Sequence, residues 1–453
     1  MIMRFRFLLS AAILMAGSIV PSMAASKIFP YPYVQEDLPN GLRLITIPTD
    51  YPNIVSLYIV VGTGSRNEVE PGKSGFAHLF EHLMFRGTPE FSPERYQAEL
   101  KQAGAYSNAF TTDDFTAYHT TFSVEDLPHV VSMEADRFQH LSYPQPAFQT
   151  ETRAVLGEYN KNSANPRQKL FETLRATAFQ THTYRHTTMG FIQDIEAMPE
   201  EYEYSRQFFA RYYRPEYTTV IVSGPVDAKK VRAMVDERWG QWRRGDYKPD
   251  VPAEPAQDAP RTAHVDWPNP TLPWVTVAYR GPAYSDSTVE TAALDAIAQL
   301  GFSQTSPLYQ KLVIQDQVVD SMGAGPPNNL DPELFGVMAR VKKQQDLESV
   351  EKQIVATAQS FATTPVDSKK LEALKEHLRY EFALGLDNSE AIAGVVAQFV
   401  ALRRTPETIN RYYELYAKLT PEDIQKAAAK YLIPNNRTVV TLTSKPAAGG
   451  GSR

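Results

Sequence analysis

Phe76–Thr88 reads FAHLFEHLMFRGT. It places two histidines, His78 and His82, four residues apart, with Glu81 directly before the second. From Phe76 to Phe85 there is no proline or glycine, and Ala, Leu, Phe, Glu and Met dominate, which predicts a helix. Residues four apart stack on one helix face, so both imidazoles can aim at one point. Neutral imidazole is a good zinc ligand, and a catalytic zinc takes three protein ligands and keeps one position for water. Glu81 stands where it could lean towards that water and take its proton. A packed helix with a polar outer face is the plainer reading of the same pattern. The flanks, Gly75 before it and Arg86-Gly87-Thr88 after it, do not follow from periodicity.

The rest of the chain narrows the setting. Its 453 residues exceed what one hydrophobic core usually supports, so two or more domains are expected. With 43% hydrophobic and 22% charged residues the composition is that of a globular protein rather than a disordered one. The net charge of −6 and scattered Lys and Arg argue against nucleic acid as a partner. Residues 1–24 read as a signal peptide: Arg4 and Arg6, an apolar run Leu8–Val20, then small residues at Ser22 and Ala24, with cleavage expected after Ala24. That run is too short to span a bilayer comfortably and no later one is longer, so stable membrane insertion is not expected. The chain has no cysteine, which excludes disulfides, thiol catalysis, thiolate metal sites and the usual lipid attachment point. A soluble periplasmic or secreted protein is expected.

A composition break falls at Gly245–Arg261, GDYKPDVPAEPAQDAPR. Pro249, Pro252, Pro255 and Pro260 can neither continue a helix nor pair into a sheet, so 245–261 reads as a semi-extended linker between domains at 27–244 and 262–446. The tail 447–453 is expected to be disordered. The two domains echo each other. NIVSLYIVVGTGSRNE (Asn53–Glu68) and LPWVTVAYRGPAYSDS (Leu272–Ser287) are both strand-like runs followed by a helical pattern. YYRPEYTTVIVSGPV (Tyr212–Val226) and YLIPNNRTVVTLTSKP (Tyr431–Pro446) both give Tyr, then Pro, then a β-branched strand. Two echoes in the same order favour duplication. With β-branched strands and amphipathic helices such as Pro128–His140 and Leu347–Phe361, the fold class is α+β: two homologous α/β sandwich domains joined by a Pro-rich linker.

The order His-x-x-Glu-His is the inverted zinc motif. With its flanks, GTGSRNE (Gly62–Glu68) and SGFAHLFEHLMFRGT (Ser74–Thr88), it closely resembles the pitrilysin-type (M16) metallopeptidases, in particular the subfamily containing the mitochondrial processing peptidase and small bacterial homologues. The resemblance covers essentially the whole mature chain. It implies repeated domains of the processing-peptidase kind that enclose a peptide chamber. It also implies Zn²⁺ held by His78, His82 and a Glu some 76 residues after the second histidine, which here is Glu158 in ETRAVLGEYNKN. Glu81 is then the general base towards zinc-activated water, and Glu151, seven residues before Glu158, supports the site. Taken alone, ETRAVLGE would be only the polar face of a helix. YSNAFTTDDFTAYH (Tyr106–His119) matches the family's Asn-Ala-x-Thr strand, an edge strand that pairs with extended substrate. Asn108 and Ala109 carry over as substrate contacts, with an ordinary polar strand face as the equal alternative. HTYRHTTMGFIQDI (His182–Ile195) also resembles the family, but His182 and His186 are kept structural because the zinc shell is already filled.

The pattern breaks in one place. Many family members carry an Arg and a Tyr, seven residues apart, that hold the substrate carbonyl and its oxyanion. In Ser306–Gly325 an ungapped alignment puts Val313 and Asp320 there, and Tyr309 is the segment's only Arg or Tyr. Either the register is shifted, or the chain is weakly active alone, or an inactive homologous subunit supplies the pair in a heterodimer. The leading expectation is a zinc endopeptidase subunit cutting extended or unfolded peptides together with such a partner. The alternatives are a non-catalytic peptide-binding or scaffold subunit and a self-sufficient homodimer.

Overall fold

The computed structural model describes residues 27–445. The stretches read above as a signal peptide, 1–24, and a disordered tail, 447–453, lie outside the described residues. The first domain carries strands β1 (Val34–Asp37), β2 (Arg43–Pro48), β3 (Ile54–Val61), β4 (Tyr106–Thr111), β5 (Thr116–Ser123) and β6 (Thr218–Gly224). Its helices are α1 (Phe76–Leu83), α2 (Pro93–Gln102), α3 (Leu127–His140), α4 (Gln145–Asn162), α5 (Pro166–Ala178), α6 (Ile192–Ala197), α7 (Tyr202–Tyr212) and α8 (Ala228–Trp239). The second domain carries β7 (Arg261–Trp267), β8 (Trp274–Arg280), β9 (Val319–Gly325), β10 (Leu334–Val341) and β11 (Arg437–Ser444). Its helices are α9 (Glu290–Phe302), α10 (Pro307–Tyr309), α11 (Leu347–Thr363), α12 (Ser368–Leu384), α13 (Ser389–Arg403), α14 (Glu407–Lys418) and α15 (Pro421–Tyr431). Among the described residues no helix is long and apolar enough to cross a membrane.

The sheet orders make the duplication explicit. The first sheet runs β1-β2-β6-β3-β5-β4 and the second β7-β11-β8-β10-β9. Each has one parallel pair, β2 with β6 and β7 with β11, and antiparallel neighbours from there to the far edge. The echoing sequence runs fall on β3 and β8, and on β6 and β11. The far edge is β4 in one sheet and β9 in the other.

Both faces of each sheet are covered, and one cover comes from the other domain. On one face of the first sheet lies the domain's own core, with Leu57, Ile59 and Val222 against Phe76, Leu79, Phe80, Phe138 and Phe208. On its opposite face Ile45, Ile47, Val60 and Ile221 pack against Ile392, Ala393, Val396 and Val400 of α13 from the second domain. The second domain receives α5 in return: Leu170, Leu174 and Ala178 pack against Ala278, Val440 and Leu442. This reciprocal cover explains why β3 is buried from Val55 to Val61 and β6 along its whole length, with no alternation of polar residues.

The Pro-rich stretch has no helix or strand until Arg261 enters β7. It is gripped rather than loose. Glu254 accepts backbone N–H groups from Gln180, Thr181 and His182 at 2.8, 2.8 and 2.9 Å. Burial raises the pKa of this carboxyl, but the three amides together hold it below the usual range.

Candidate active site

Helix α1 follows β3 through a turn that ends at Gly75, which takes φ 91° as the N-cap. A Cβ at Gly75 would meet the Met189 carbonyl oxygen at 2.7 Å, so this position needs glycine twice over. Phe76, Ala77, Leu79, Phe80 and Leu83 bury one face of α1 in the first-domain core. The opposite face turns Glu81 and His82 into a half-buried position, with His78 deeper at 7% exposure.

Helix α4 packs across α1 and presents Glu151 and Glu158, two turns apart on one side. His78 Nε2 lies 3.6 Å and His82 Nε2 3.4 Å from Glu158 Oε2. One ligand atom from each of His78, His82 and Glu158 falls within 4.8 Å of the others. A tetrahedral zinc with bonds of about 2.0–2.2 Å sets its ligand atoms roughly 3.3–3.6 Å apart, and the two histidine–Glu158 separations fall within that range. Among the described residues, these three form the group that could hold a metal. Burial lowers the His78 pKa to about 4, which keeps its imidazole neutral and able to donate a lone pair. His82 differs: the Glu151 carboxylate beside it raises its pKa. Glu151 Oε2 stands 3.6 Å from His82 Nδ1, and its other oxygen pairs with Arg86.

Glu81 points away from this pairing and towards the sheet edge. Its Oε2 accepts a hydrogen bond of 2.8 Å from the Thr111 hydroxyl at the end of β4. Burial is the main reason its pKa is raised. A carboxylate beside a three-ligand cluster, with raised proton affinity and a fixed rotamer, can take and return a proton there.

The structure therefore brings together His78, Glu81, His82, Glu151 and Glu158. Asn108 and Ala109 do lie on the edge strand β4, but on opposite faces of it. Ala109 is 8% exposed and belongs to the core, so only its backbone is open to a ligand. Asn108 is exposed, and its Oδ1 accepts the Ala109 N–H at 2.9 Å. His182 and His186 stand outside the cluster: His182 Nε2 meets Asp331 of the second domain at 3.0 Å, and His186 Nδ1 meets the Thr187 carbonyl at 3.0 Å. A cavity of about 870 Å³, lined by Arg175, Trp274, Thr276 and Gly323, lies between α5 and the second sheet, and none of the cluster residues lines it. Val313 sits in a π-helical turn, Gln310–Gln315, and Asp320 lies on β9 paired with Arg340 at 3.3 Å. Thr111, Arg86 and Glu68 were not singled out from the sequence. Each stands inside a run quoted for its likeness to the family, and that was the only available signal.

Two family descriptions match the chain: Insulinase (Peptidase family M16) over residues 43–191 and Peptidase M16 inactive domain over residues 201–378. The chain belongs to the M16 peptidase family and is built from two M16-type domains of mixed helix and sheet. The zinc protease PqqE of Helicobacter pylori is 27% identical, with 89% of this chain and 91% of that protein covered. A probable mitochondrial-processing peptidase subunit beta of Schizosaccharomyces pombe is 23% identical, with 87% and 88% covered. The crystal structure of a protease from Helicobacter pylori superposes with a TM-score of 0.85 at 26% identity, covering 91% of this chain and 99% of that one.

Proposed function

We propose that this chain is a zinc-dependent endopeptidase subunit acting on extended or unfolded peptides. The observation that carries the reading is the convergence of His78, His82 and Glu158, with Glu81 held beside them by Thr111. Zinc, when bound there, supplies a Lewis acid that makes water acidic and polarises a carbonyl. The other steps belong to the chain. Glu81 takes the proton of the attacking water and passes it to the leaving amine, and burial, which raises its pKa, favours its uptake of that proton. Thr111 holds the Glu81 carboxylate towards β4. The free edge of β4 offers its backbone to an extended peptide, with Ala109 contributing main-chain groups and Asn108 its side-chain amide. Glu151 orients His82, and Arg86 anchors Glu151.

We also propose that an inactive homologous subunit completes the chamber. Neither Val313 nor Asp320 can donate to an oxyanion, and such a donor is worth about 2.7–4 kcal/mol. The signal-like start supports export to the periplasm or beyond. The test is a quenched unfolded peptide assayed with zinc, using the mature chain alone and with a partner co-purified from its source. Cleavage only with the partner supports the heterodimer, and full activity alone supports a homodimer. A zinc-loaded chain that cleaves nothing in either form sinks the peptidase reading in favour of a scaffold.

A further inference from the structure

The two histidines of the cluster are held in different ways. His82 has a ring partner, with Nδ1 3.6 Å from Glu151. The Nδ1 of His78 is buried and has no hydrogen-bond partner, so its ring is met only at Nε2, by Glu158, and nothing orients it from behind. His78 is the third residue of α1, and its placement depends on the backbone of that first turn. The helix is only eight residues long, has glycine at its N-cap, and has neither a side-chain cap of its own nor an acid in its first turn. Short helices are poorly nucleated, and their first amides need acceptors.

Those acceptors come from Glu68, seven residues before the N-cap, in the turn that leaves β3. Its side chain has no solvent exposure. Oε2 accepts the Gly75 N–H at 2.8 Å and Oε1 the Ala77 N–H at 2.7 Å, so both oxygens are committed to the helix start. His186 Nδ1 lies 3.7 Å from it, donates to the Thr187 carbonyl and is kept neutral by burial, so among the described residues no cation pairs with Glu68. Burial raises the pKa of this carboxyl well above the usual range, and the amides of Ala77 and Gly75 oppose that rise. A second carboxylate locks the preceding residue: Asp194 accepts both the backbone N–H and the hydroxyl of Ser74, at 3.2 and 2.5 Å.

We propose that Glu68 is the positioning residue for His78, doing through the backbone what Glu151 does for His82 through the ring. It fixes the amide of Ala77, the residue before His78, and so presets the imidazole before any metal arrives. The inference rests on the reading of His78, His82 and Glu158 as a metal site. Partners that orient metal ligands typically change metal affinity by about 10–100-fold when removed.

Zinc affinity of the mature chain, measured by chelator competition well below the melting temperature, comes first, because an unmodified chain that does not bind zinc removes the metal-site reading itself. Given binding, Glu68→Gln keeps the volume but only one acceptor, and zinc affinity should fall at least tenfold, with an altered Co²⁺ absorption spectrum. Ile424→Ala, a core truncation in the second domain, serves as the control for general destabilisation and should leave both readouts unchanged. Zinc affinity within twofold of the parent in folded Glu68→Gln overturns the proposal, whatever happens to the melting temperature. Should Glu68→Gln not fold, hydrogen exchange of the Gly75 and Ala77 amides in the metal-free parent decides: protection is expected, and exchange at unfolded rates overturns it.

Discussion

All five residues of the cluster lie in the first domain, so a fragment of residues 27–244 would be expected to bind zinc if that domain stood alone. The structure says it cannot. Removing the second domain removes α13, and with it the cover over Ile45, Ile47, Val60 and Ile221, all at most 2% exposed in the intact chain. Returning a large aliphatic side chain to water is unfavourable by about 1.5–3 kcal/mol, so these four come to roughly 6–12 kcal/mol. That matches the whole stability of a typical domain, about 5–15 kcal/mol. Phe115 and Tyr58 add to the uncovered patch, and α5 is left with Leu170, Leu174 and Phe179 unsupported. The fragment should therefore be insoluble, or bind a hydrophobic dye and melt without cooperativity, and zinc should not restore it. Co-expression of 27–244 with 245–453 should recover a folded pair, because each then supplies the other's missing helix. A soluble, monomeric 27–244 with a sharp thermal transition would show that the exchanged helices are ornamental and refute the reasoning.

Three further outcomes follow from the site. Glu81→Gln should keep zinc and the fold but lower kcat by about 10²–10⁴, the usual contribution of a positioned acid–base group; a folded, zinc-loaded variant within tenfold of the parent would remove Glu81 from that role. Zinc should raise the denaturation midpoint of the intact chain, by about 2.7 kcal/mol of stability when free zinc is a hundredfold above Kd, and the gain should vanish in His82→Ala; equal melts with zinc and with chelator would count against the site. His186, whose pKa burial lowers to about 4 from an unfolded value near 6.5, sets a pH dependence. The unfolded chain binds the extra proton in that window, so stability should fall as pH drops from about 6.5 to about 4. His186→Asn, which can keep a donor towards Thr187, should make this limb shallower in urea midpoints measured across the range, leaving the share of His78, which burial also lowers to about 4, and an unchanged slope would reject the assignment.

How much of this was legible in the sequence depends on how local each feature is. His78, Glu81 and His82 lie within two helical turns, so their common face follows from spacing alone. Glu158 does not: its approach to the histidines requires α4 to cross α1, and only the likeness to a family indicated it. The duplication was readable as paired strand runs, and five of the first sheet's six strands, all but β1, have a counterpart in the second. The exchange of α5 and α13 was not, because an apolar helix such as Ile392–Val400 carries no mark of which sheet it covers. Burial of Ala109 follows from strand alternation once Thr111 is known to face α1, a fact supplied only by tertiary packing. Glu68 was hidden for a related reason. A carboxylate that caps a helix from outside looks, in sequence, like any acid in a turn.

The second domain shows why the chemistry occurs once although the fold occurs twice. Helix α9 follows β8 as α1 follows β3, but it is packed against α11, α12, α14 and α15. Ala292, Ala293, Leu294, Ala296 and Ile297 are fully buried, and no histidine occurs in it. Its partly open positions are Glu290, Asp295, Gln299 and Leu300, which offer no imidazole, and metal ligands placed among its buried residues would be costly. Helix α1 has fewer neighbours and leaves Glu81 and His82 half-open beside the β4 edge. The site thus depends less on the α/β repeat, which both domains share, than on which side chains stand on the partly open face: Glu81 and His82 in α1, against Asp295 and Gln299 in α9.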